Sequence, residues 1–405
     1  MSKVVAKYQI RKKRILRALL DRGELSLTNL SRTTGMSLPM VSSVVASLKR
    51  EQFVHEFRGR NNDGVGRPPF VAKLNGEAGF VLGIDIGHLN TNIVLLNLEQ
   101  KVIAELHHPS LSLENSEEII DSLSEDIDDI VKDARINAGR LLGIGLSIPG
   151  IVRGREGFSE TYLNFGRESV RNVLQERWKK PVVIEHDAKA MALGERWFGA
   201  ARNVSSALCL NIGWGLGLGV ILDGKIYYGR DGYAGEFGHL QVVPGGQLCQ
   251  CGKRGCLETV ASGRAIAALA EKRLLEGAVS KLSEAVEPGG SGIDAEQVIH
   301  SAIEGDQFAI EILEEAGRYL GGGVAILINL FNPELVILGG RVSGAKHFLL
   351  DAIRATALKQ SLVQLNHDVR FVISDLGTNA GALGVAMLAA KDIFEVEHLN
   401  PSAYV

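Results

Sequence analysis

The spacing of apolar positions divides the chain into a short helical segment and a longer segment in which strands and helices alternate. In the first 50 residues apolar side chains recur three and four positions apart, which predicts three amphipathic helices. Gly23 and Gly35 stand where the first two helices should end, and Ser26 and Ser37 stand where the second and third should begin. The chain is therefore predicted to start with a three-helix unit.

A period of two residues follows the third helix. Residues 53–58 and 70–74 alternate like two strands, and residues 61–64, Asn-Asn-Asp-Gly, form a typical turn between them. Arg67, between Gly66 and Pro68, stands on a stiff loop suited to a DNA minor groove. Three helices and such a hairpin are typical of a winged helix-turn-helix DNA-binding domain, predicted at residues 1–75.

Charge favours the same interpretation. Residues 1–75 carry 15 Lys and Arg against 5 Asp and Glu, whereas the remainder carries 29 against 42. A basic segment ahead of an acidic body suits contact with a polyanion. The outward side chains of the third helix, together with the arginine of the loop, are the predicted DNA contacts: Ser42, Ser43, Ser47, Lys49, Arg50 and Arg67. A protein-docking module is the alternative for this segment.

From residue 80 the pattern predicts a mixed α/β body. The expected elements of its first part are strands at 80–87, 92–96, 102–106 and 142–148 and a helix at 117–138. A second strand-turn-strand unit at 208–222 contains Gly213-Trp214-Gly215. Two such units predict two lobes with a cleft between them. The first lobe is expected at 76–197, joined by a helix at 379–405, and the second at 198–378.

Three of the four cysteines of the chain lie close to a histidine in sequence. Cys249, Cys251 and Cys256 follow His239, with glycines between them that allow tight turns. Three thiolates and an imidazole form a preferred tetrahedral shell for structural zinc, so these four residues are the predicted metal ligands. Chance clustering of buried thiols is the alternative. Cys209 lies in an apolar strand and is expected to be a core residue.

Polar residues that suit a polyol lie around this cluster. Glu236 precedes His239 by three residues, Glu258 follows Cys256, and His186-Asp187 ends a predicted strand. Carboxylates at strand ends accept hydrogen bonds from vicinal hydroxyls, and one of them can act as a general base. Taken singly, each of these residues is better explained as a helix cap or a surface charge.

These motifs resemble the ROK family, which contains sugar-responsive repressors and sugar kinases of the actin/hexokinase (ribonuclease H-like) type. The resemblance rests on Gly235-Glu236-x-Gly238-His239 and on the segment from Cys249 to Glu258, and it extends over nearly the whole chain. It implies a sugar site formed by Asn164, His186, Asp187, Glu236, His239 and Glu258. In a kinase, Asp187 would be the catalytic base, and His239 would bind both sugar and zinc.

The chain departs from the kinases of this family where ATP should bind. His88-Leu89 follows Gly87 where the kinases have Gly-Thr, Trp214 replaces a threonine between two glycines, and Arg341 replaces a glycine. Each change removes a phosphate contact or fills space near one. The sequence therefore argues against ATP as a ligand.

The resulting expectation is a cytoplasmic repressor, a homodimer or homotetramer, that binds operator DNA and a sugar or sugar phosphate. The amino terminus does not resemble a signal peptide and no apolar run is long enough for membrane insertion. The first alternative is an ATP-dependent kinase of a hexose or amino sugar with an attached DNA-binding domain. The second is a scaffold that binds a protein through an apolar stripe at Ile393, Phe394, Val396 and Leu399, for which simple packing is the plainer explanation.

Overall fold

The computed structural model describes residues 3–59, 69–110, 113, 116–286 and 292–395. We call residues 3–74 the head. Its elements are α1 (Lys3–Arg22), β1 (Leu25–Ser26), α2 (Leu27–Thr34), α3 (Leu38–Arg50), β2 (Val54–Arg58) and β3 (Phe70–Leu74). The Ser26 hydroxyl caps α2 by accepting from the Asn29 amide at 3.1 Å, and Gly35 ends α2 with a φ of 67°. The predicted helices and strands of this segment are thus present.

Two features of the head differ from the expectation. The short strand β1 was not predicted, and it pairs antiparallel with β3 to give the sheet order β1-β3-β2. Ser47 does not face outward, since it is only 7% exposed and its hydroxyl donates to Glu51 Oε1 at 2.8 Å. The predicted outward orientation of Ser47 is therefore wrong, because this position lies between the buried rows of α3, and its contact with DNA stays a prediction. The turn at 61–64 and Arg67 lie outside the described residues.

The first half of the body is built on a five-stranded sheet with the order β10-β7-β4-β5-β6. Strands β4, β5 and β6 are antiparallel neighbours, whereas β4, β7 and β10 run parallel. The elements are β4 (Phe80–Ile86), β5 (Asn90–Asn97), β6 (Val102–Pro109), α4 (Ser116–Asp133), β7 (Leu141–Ile148), β8 (Val152–Arg153), β9 (Phe158–Ser159), α5 (Val170–Trp178), β10 (Val182–His186) and α6 (Asp187–Trp197).

Helix α4 ends five residues before the predicted position. Arg135 adopts a left-handed conformation with a φ of 53°, and the Ile136 amide donates to the Val131 carbonyl at 3.2 Å. This arrangement closes the last turn of the helix. No glycine marks this helix end, so the sequence pattern predicts a longer helix than the structure contains.

The second half repeats the same pairing scheme in the order β13-β12-β11-β14-β15. Again three strands are antiparallel neighbours and three run parallel. The elements are β11 (Ala207–Ile212), β12 (Leu216–Leu222), β13 (Lys225–Ile226), α7 (Glu258–Ala261), α8 (Gly263–Leu275), α9 (Ala295–Ile303), α10 (Gln307–Phe331), β14 (Leu335–Gly339), α11 (His347–Gln360), α12 (Val363–Asn366) and β15 (Arg370–Ile373). The two sheets therefore form a duplicated α/β architecture, as predicted.

The last described helix, α13 (Ala380–Ile393), returns to the first sheet. It packs on β4, β5, β7 and α6 at backbone distance: a Cβ on Gly83 would lie 1.9 Å from the Ala382 carbonyl oxygen. Phe394, just after α13, is 4% exposed and belongs to the same core, which favours packing for the apolar stripe. Val396 and Leu399 of that stripe lie outside the described residues.

No helix within the described ranges is both long and apolar enough to cross a membrane.

Candidate functional site

A cleft of about 320 Å³ lies between the two sheets of the body, at the carboxyl ends of β4, β10 and β11. Residues at the ends of these strands line it on both sides, among them Asp85, Asp187 and Asn211. Ligands of open α/β sheets commonly bind at such strand ends. The duplicated fold thus positions a polar cleft between its halves.

His186 and Asp187 form one wall of this cleft. His186 ends β10 and Asp187 begins α6, so the carboxylate lies at the positive end of the helix dipole. Asp187 Oδ1 accepts from the Ala188 amide at 2.6 Å, and Oδ2 accepts from Asn211 Nδ2 at 3.2 Å across the cleft. The His186 ring nitrogen Nδ1 lies 3.2 Å from Asp187 Oδ1. These contacts fix the Asp187 carboxylate at the cleft.

The four predicted metal ligands come together beside the opposite wall. The ligand atoms of His239, Cys249, Cys251 and Cys256 lie within 4.8 Å of one another. His239 Nδ1 is 3.6 Å from Cys249 Sγ, and Cys251 Sγ is 3.6 Å from Cys256 Sγ. Tetrahedral zinc with Zn–S bonds of about 2.3 Å requires sulfur atoms about 3.8 Å apart. The donor set and the spacing therefore fit one metal ion. Cys209, by contrast, is fully buried in β11, as expected.

The predicted sugar ligands near this cluster also face the cleft. His239 Nε2 lies 3.7 Å from Glu236 Oε2, on the side of the ring away from the sulfur atoms. Glu258, at the start of α7, is 9% exposed and its Oε2 accepts from the Leu216 amide at 3.2 Å. Together with His186 and Asp187, these three residues line the cleft. Two carboxylates and an imidazole in this arrangement can accept hydrogen bonds from several adjacent hydroxyl groups.

Asn164 is not brought into the cleft with the others. Its side chain closes a local turn: Nδ2 donates to the Glu160 carbonyl at 3.0 Å, and Oδ1 accepts from the Gly166 amide at 2.8 Å. Thr161 and Tyr162 line the cleft from the same loop instead. The role of Asn164 in sugar binding stays a prediction from the resemblance.

Asp85 also lines the cleft, although it was not among the predicted site residues. Desolvation raises the pKa of Asp85 to about 7, with a further increase from the nearby Asp187 and an opposing effect of Ser147 on the adjacent strand. Although water in the cleft can reach this carboxyl group, the surrounding protein atoms remove most of its hydration. The position of Asp85 at a strand end before Gly87 was the available signal, but residue type alone does not reveal burial.

The candidate nucleic-acid interface is the outer face of α3. Ser42, Ser43, Lys49 and Arg50 are exposed there, and Lys49 Nζ lies 3.2 Å from Glu56 Oε2 of β2. This face is small and cationic, which suits an approach to base edges and phosphates.

The fold and the cleft define a two-lobed α/β protein with the architecture of sugar kinases, extended by an amino-terminal head. The chain belongs to the ROK family, whose model matches residues 81–392. This confirms the resemblance stated from the sequence.

The chain is similar to proteins with and without such a head. It is 32% identical to the xylose repressor of Caldicellulosiruptor bescii over 95% of this chain and 96% of that protein. A crystal structure of a ROK family transcriptional regulator, a homologue of the Escherichia coli MLC protein, aligns with a TM-score of 0.79 and 28% identity over 96% of this chain and 97% of that one. A ROK family glucokinase from Streptomyces griseus, in complex with glucose and AMPPNP, aligns with a TM-score of 0.68 and 30% identity over 77% of this chain and 99% of its own.

Proposed function

We propose that this protein is a sugar-responsive transcriptional repressor of carbohydrate-utilisation genes. The observation that carries the proposal is the basic head, with its exposed α3 face, in a chain whose full length matches a xylose repressor. The glucokinase matches only 77% of the chain. The head is therefore the part that a sugar kinase does not need.

The head is proposed to be a winged helix-turn-helix with α3 in the major groove. Ser42, Ser43, Lys49 and Arg50 would contact base edges and phosphates, and Arg67 remains the predicted contact of the wing. Operator DNA is then the macromolecular partner, and a cytoplasmic location follows from it. A homodimer or homotetramer would match the two-fold symmetry of a palindromic operator.

The cleft is proposed to bind the sugar or sugar phosphate. Asp187, Glu236 and Glu258 would accept hydrogen bonds from its hydroxyl groups, and His186 and His239 would complete the site. We keep Asn164 as a sixth ligand from the family resemblance, which would require its loop to move. The domain boundaries at 75, 197 and 378 also remain proposals, with the final helix assigned to the first lobe.

Zinc is the proposed metal, held by His239, Cys249, Cys251 and Cys256. Three thiolates and one imidazole suit zinc, and a shell of four protein ligands leaves no position for a reactive water. The metal would thus stabilise the fold and fix the His239 ring. With Nδ1 on the metal, Nε2 of the same ring is available to a hydroxyl group.

A sugar kinase is the second candidate, favoured by the position of Asp187 at the end of β10. In that case Asp187 would accept the proton of the attacking hydroxyl. Three residues of the cleft argue against ATP binding, because the kinases of the family have smaller residues at these positions. They are His88, Trp214 and Arg341.

Mobility shifts with the DNA upstream of its own gene, repeated with a panel of sugars and sugar phosphates, test the proposal. The expected result is specific binding that one sugar changes, with Asp187→Asn abolishing the sugar response while DNA binding persists. A coupled ATP assay on the same samples should give no turnover. Turnover that Asp187→Asn abolishes would favour the kinase, and no DNA binding at any salt concentration would contradict the repressor.

A further inference from the structure

Four side chains from distant segments contact one another in series across the cleft. The His88 ring lies on the Trp214 indole with ring centroids 4.1 Å apart and planes inclined by only 22°. The Tyr162 ring meets His88 edge-on at 5.3 Å. The Arg264 guanidinium lies over the indole at 4.4 Å. We call Tyr162, His88, Trp214 and Arg264 the cleft stack.

The cleft stack joins the two halves of the body. His88 follows β4, and Tyr162 lies in the loop between β9 and α5, so both belong to the first half. Trp214 occupies the turn between β11 and β12, and Arg264 lies in α8, so both belong to the second half. Among these four residues, only the rings of His88 and Trp214 are stacked. Their contact therefore joins the two halves.

The cleft stack also reaches the proposed sugar site. Arg264 Nη2 lies 3.7 Å from Glu258 Oε1, so the cation that covers the indole also faces a sugar-binding carboxylate. Burial lowers the pKa of His88, the nearby Asp187 opposes this effect, and the Arg264 cation of the same stack adds to it. Aromatic rings in contact attract each other beyond the effect of the area that they bury.

We propose that the contact between His88 and Trp214 is a built-in bridge across the cleft in the ligand-free protein, in addition to the packing of α6 on β11 and β12 that already joins the two halves. Both residues stand in the glycine-containing turns that follow the first strands of the two sheets, at matching places of the duplicated fold. The bridge connects the two rims of the cleft through side chains of the chain itself, without a nucleotide between them. This inference goes beyond the proposed function and does not depend on the identity of the sugar or of the operator.

The test compares variants that remove the stack with variants that keep a flat ring. Trp214→Thr and His88→Gly each remove one ring, from opposite halves, whereas Trp214→Phe and His88→Phe each retain one. Trp178→Phe replaces an indole outside the cleft and serves as the matched control. The measurements are small-angle X-ray scattering and amide hydrogen exchange at residues 87–90 and 213–216, on full-length protein without sugar or DNA.

The bridge predicts a larger radius of gyration and roughly two- to tenfold faster exchange in Trp214→Thr and in His88→Gly. Trp214→Phe, His88→Phe and Trp178→Phe should match the natural protein. Circular dichroism and metal content identify any variant that fails to fold, and the ring-removing variant of the other half then carries the test. Unchanged scattering and exchange in a folded ring-removing variant would overturn the proposal. So would a Trp214→Phe variant as open as Trp214→Thr.

Discussion

The two ring nitrogens of His239 have different neighbours. Nδ1 lies 3.6 Å from the sulfur of Cys249, whereas Nε2 lies 3.7 Å from a carboxylate oxygen of Glu236 at the cleft. An ion bound on the Nδ1 side would fix both the tautomer and the orientation of the ring. The proposed metal and the proposed sugar are therefore linked through one side chain.

The metal assignment predicts that removal of one thiol lowers both the metal content and the stability of the protein. Cys256→Ser should lower the zinc content well below the expected value of about one equivalent per chain and should lower the melting temperature. Cys209→Ala, which removes a buried thiol outside the cluster, should retain the metal. Metal analysis and thermal unfolding of both variants give the comparison. A Cys256→Ser protein with full zinc content would contradict the assignment.

The raised pKa of Asp85 predicts that the stability of the protein depends on pH. Its pKa is raised from 3.8 to about 7 in the folded protein, so the folded state holds a proton that the unfolded state has lost between these pH values. The free energy of unfolding therefore decreases as the pH rises from about 4 to about 7. At 1.36 kcal/mol per pKa unit the decrease is at most about 4 kcal/mol, and hydration of the carboxyl group in the cleft makes it smaller.

Asp85→Asn removes this ionisation and keeps the shape of the side chain. We expect its melting temperature to exceed that of the natural protein by more at pH 8 than at pH 5. Thermal unfolding over this pH range measures the difference. A difference that does not change with pH would show that burial does not perturb Asp85.

Sequence spacing could identify the metal ligands because they lie within a short segment with a distinctive composition. The same reasoning could not find the pair His88 and Trp214, since these residues approach only when the two halves of the body fold together. It also could not exclude Asn164 from the cleft lining, because the local hydrogen bonds of that amide depend on the path of its loop.

The packing of helix α13 depends on close contacts between backbones. A Cβ on Gly384 would lie 1.9 Å from the Ala190 carbonyl oxygen of α6, and one on Gly381 would lie 2.3 Å from the carboxylate of Asp85. No side chain fits at these distances without movement of the backbone or of the carboxylate. Close packing therefore holds α13 as a rigid part of the first half of the body.

Gly384→Ala is expected to destabilise the protein by roughly 1–3 kcal/mol or more, because overpacking must displace α6. Gly344→Ala is the matched control, since nothing lies within 4 Å of a Cβ at that position. Denaturant unfolding of both variants measures the difference. Equal midpoints would show that α13 and α6 are not in the close contact described.

Element type was largely predictable, because apolar periodicity is strong in the buried strands and in the head. Element ends were less predictable where the chain uses an unexpected residue, as with the left-handed Arg135 after α4. The outward assignment of Ser47 failed because a small polar residue can lie between buried rows when a neighbour such as Glu51 accepts its hydrogen bond.

The head is not separated from the body by a free linker. One apolar cluster contains Leu16 and Leu19 of α1 together with Leu383 and Met387 of α13. Polar contacts join the same surfaces: Arg17 Nη1 donates to the Lys391 carbonyl at 2.7 Å. Helix α13 thus begins at the cleft and ends against the head, so we propose it as the element that couples the cleft to α1.

Loosening this contact should uncouple the head from the cleft. Arg17→Ala removes the hydrogen bond to the end of α13, and we expect faster amide exchange in α1, little change in operator affinity and a smaller effect of the sugar on that affinity. Lys7→Ala removes an exposed cation from the same helix and is the matched control. An unchanged sugar response in Arg17→Ala, with faster exchange, would contradict this route of coupling.

The change in charge near residue 75 predicted a separate amino-terminal domain, but it could not predict the shared core. Contacts between domains depend on which surfaces meet, and periodicity within each element does not specify this. The overall class of fold followed from alternating strands and helices, and the ROK resemblance was confirmed over residues 81–392.

The most direct test of the repressor is an equilibrium titration of the full-length protein with the DNA upstream of its own gene, by fluorescence anisotropy at fixed salt. The titration is done with and without the sugar that raises the melting temperature most. We predict that this sugar changes the DNA affinity by at least fivefold, which corresponds to about 1 kcal/mol of coupling. If no sugar that binds the protein changes its DNA affinity, the proposed sugar-responsive repressor function is contradicted.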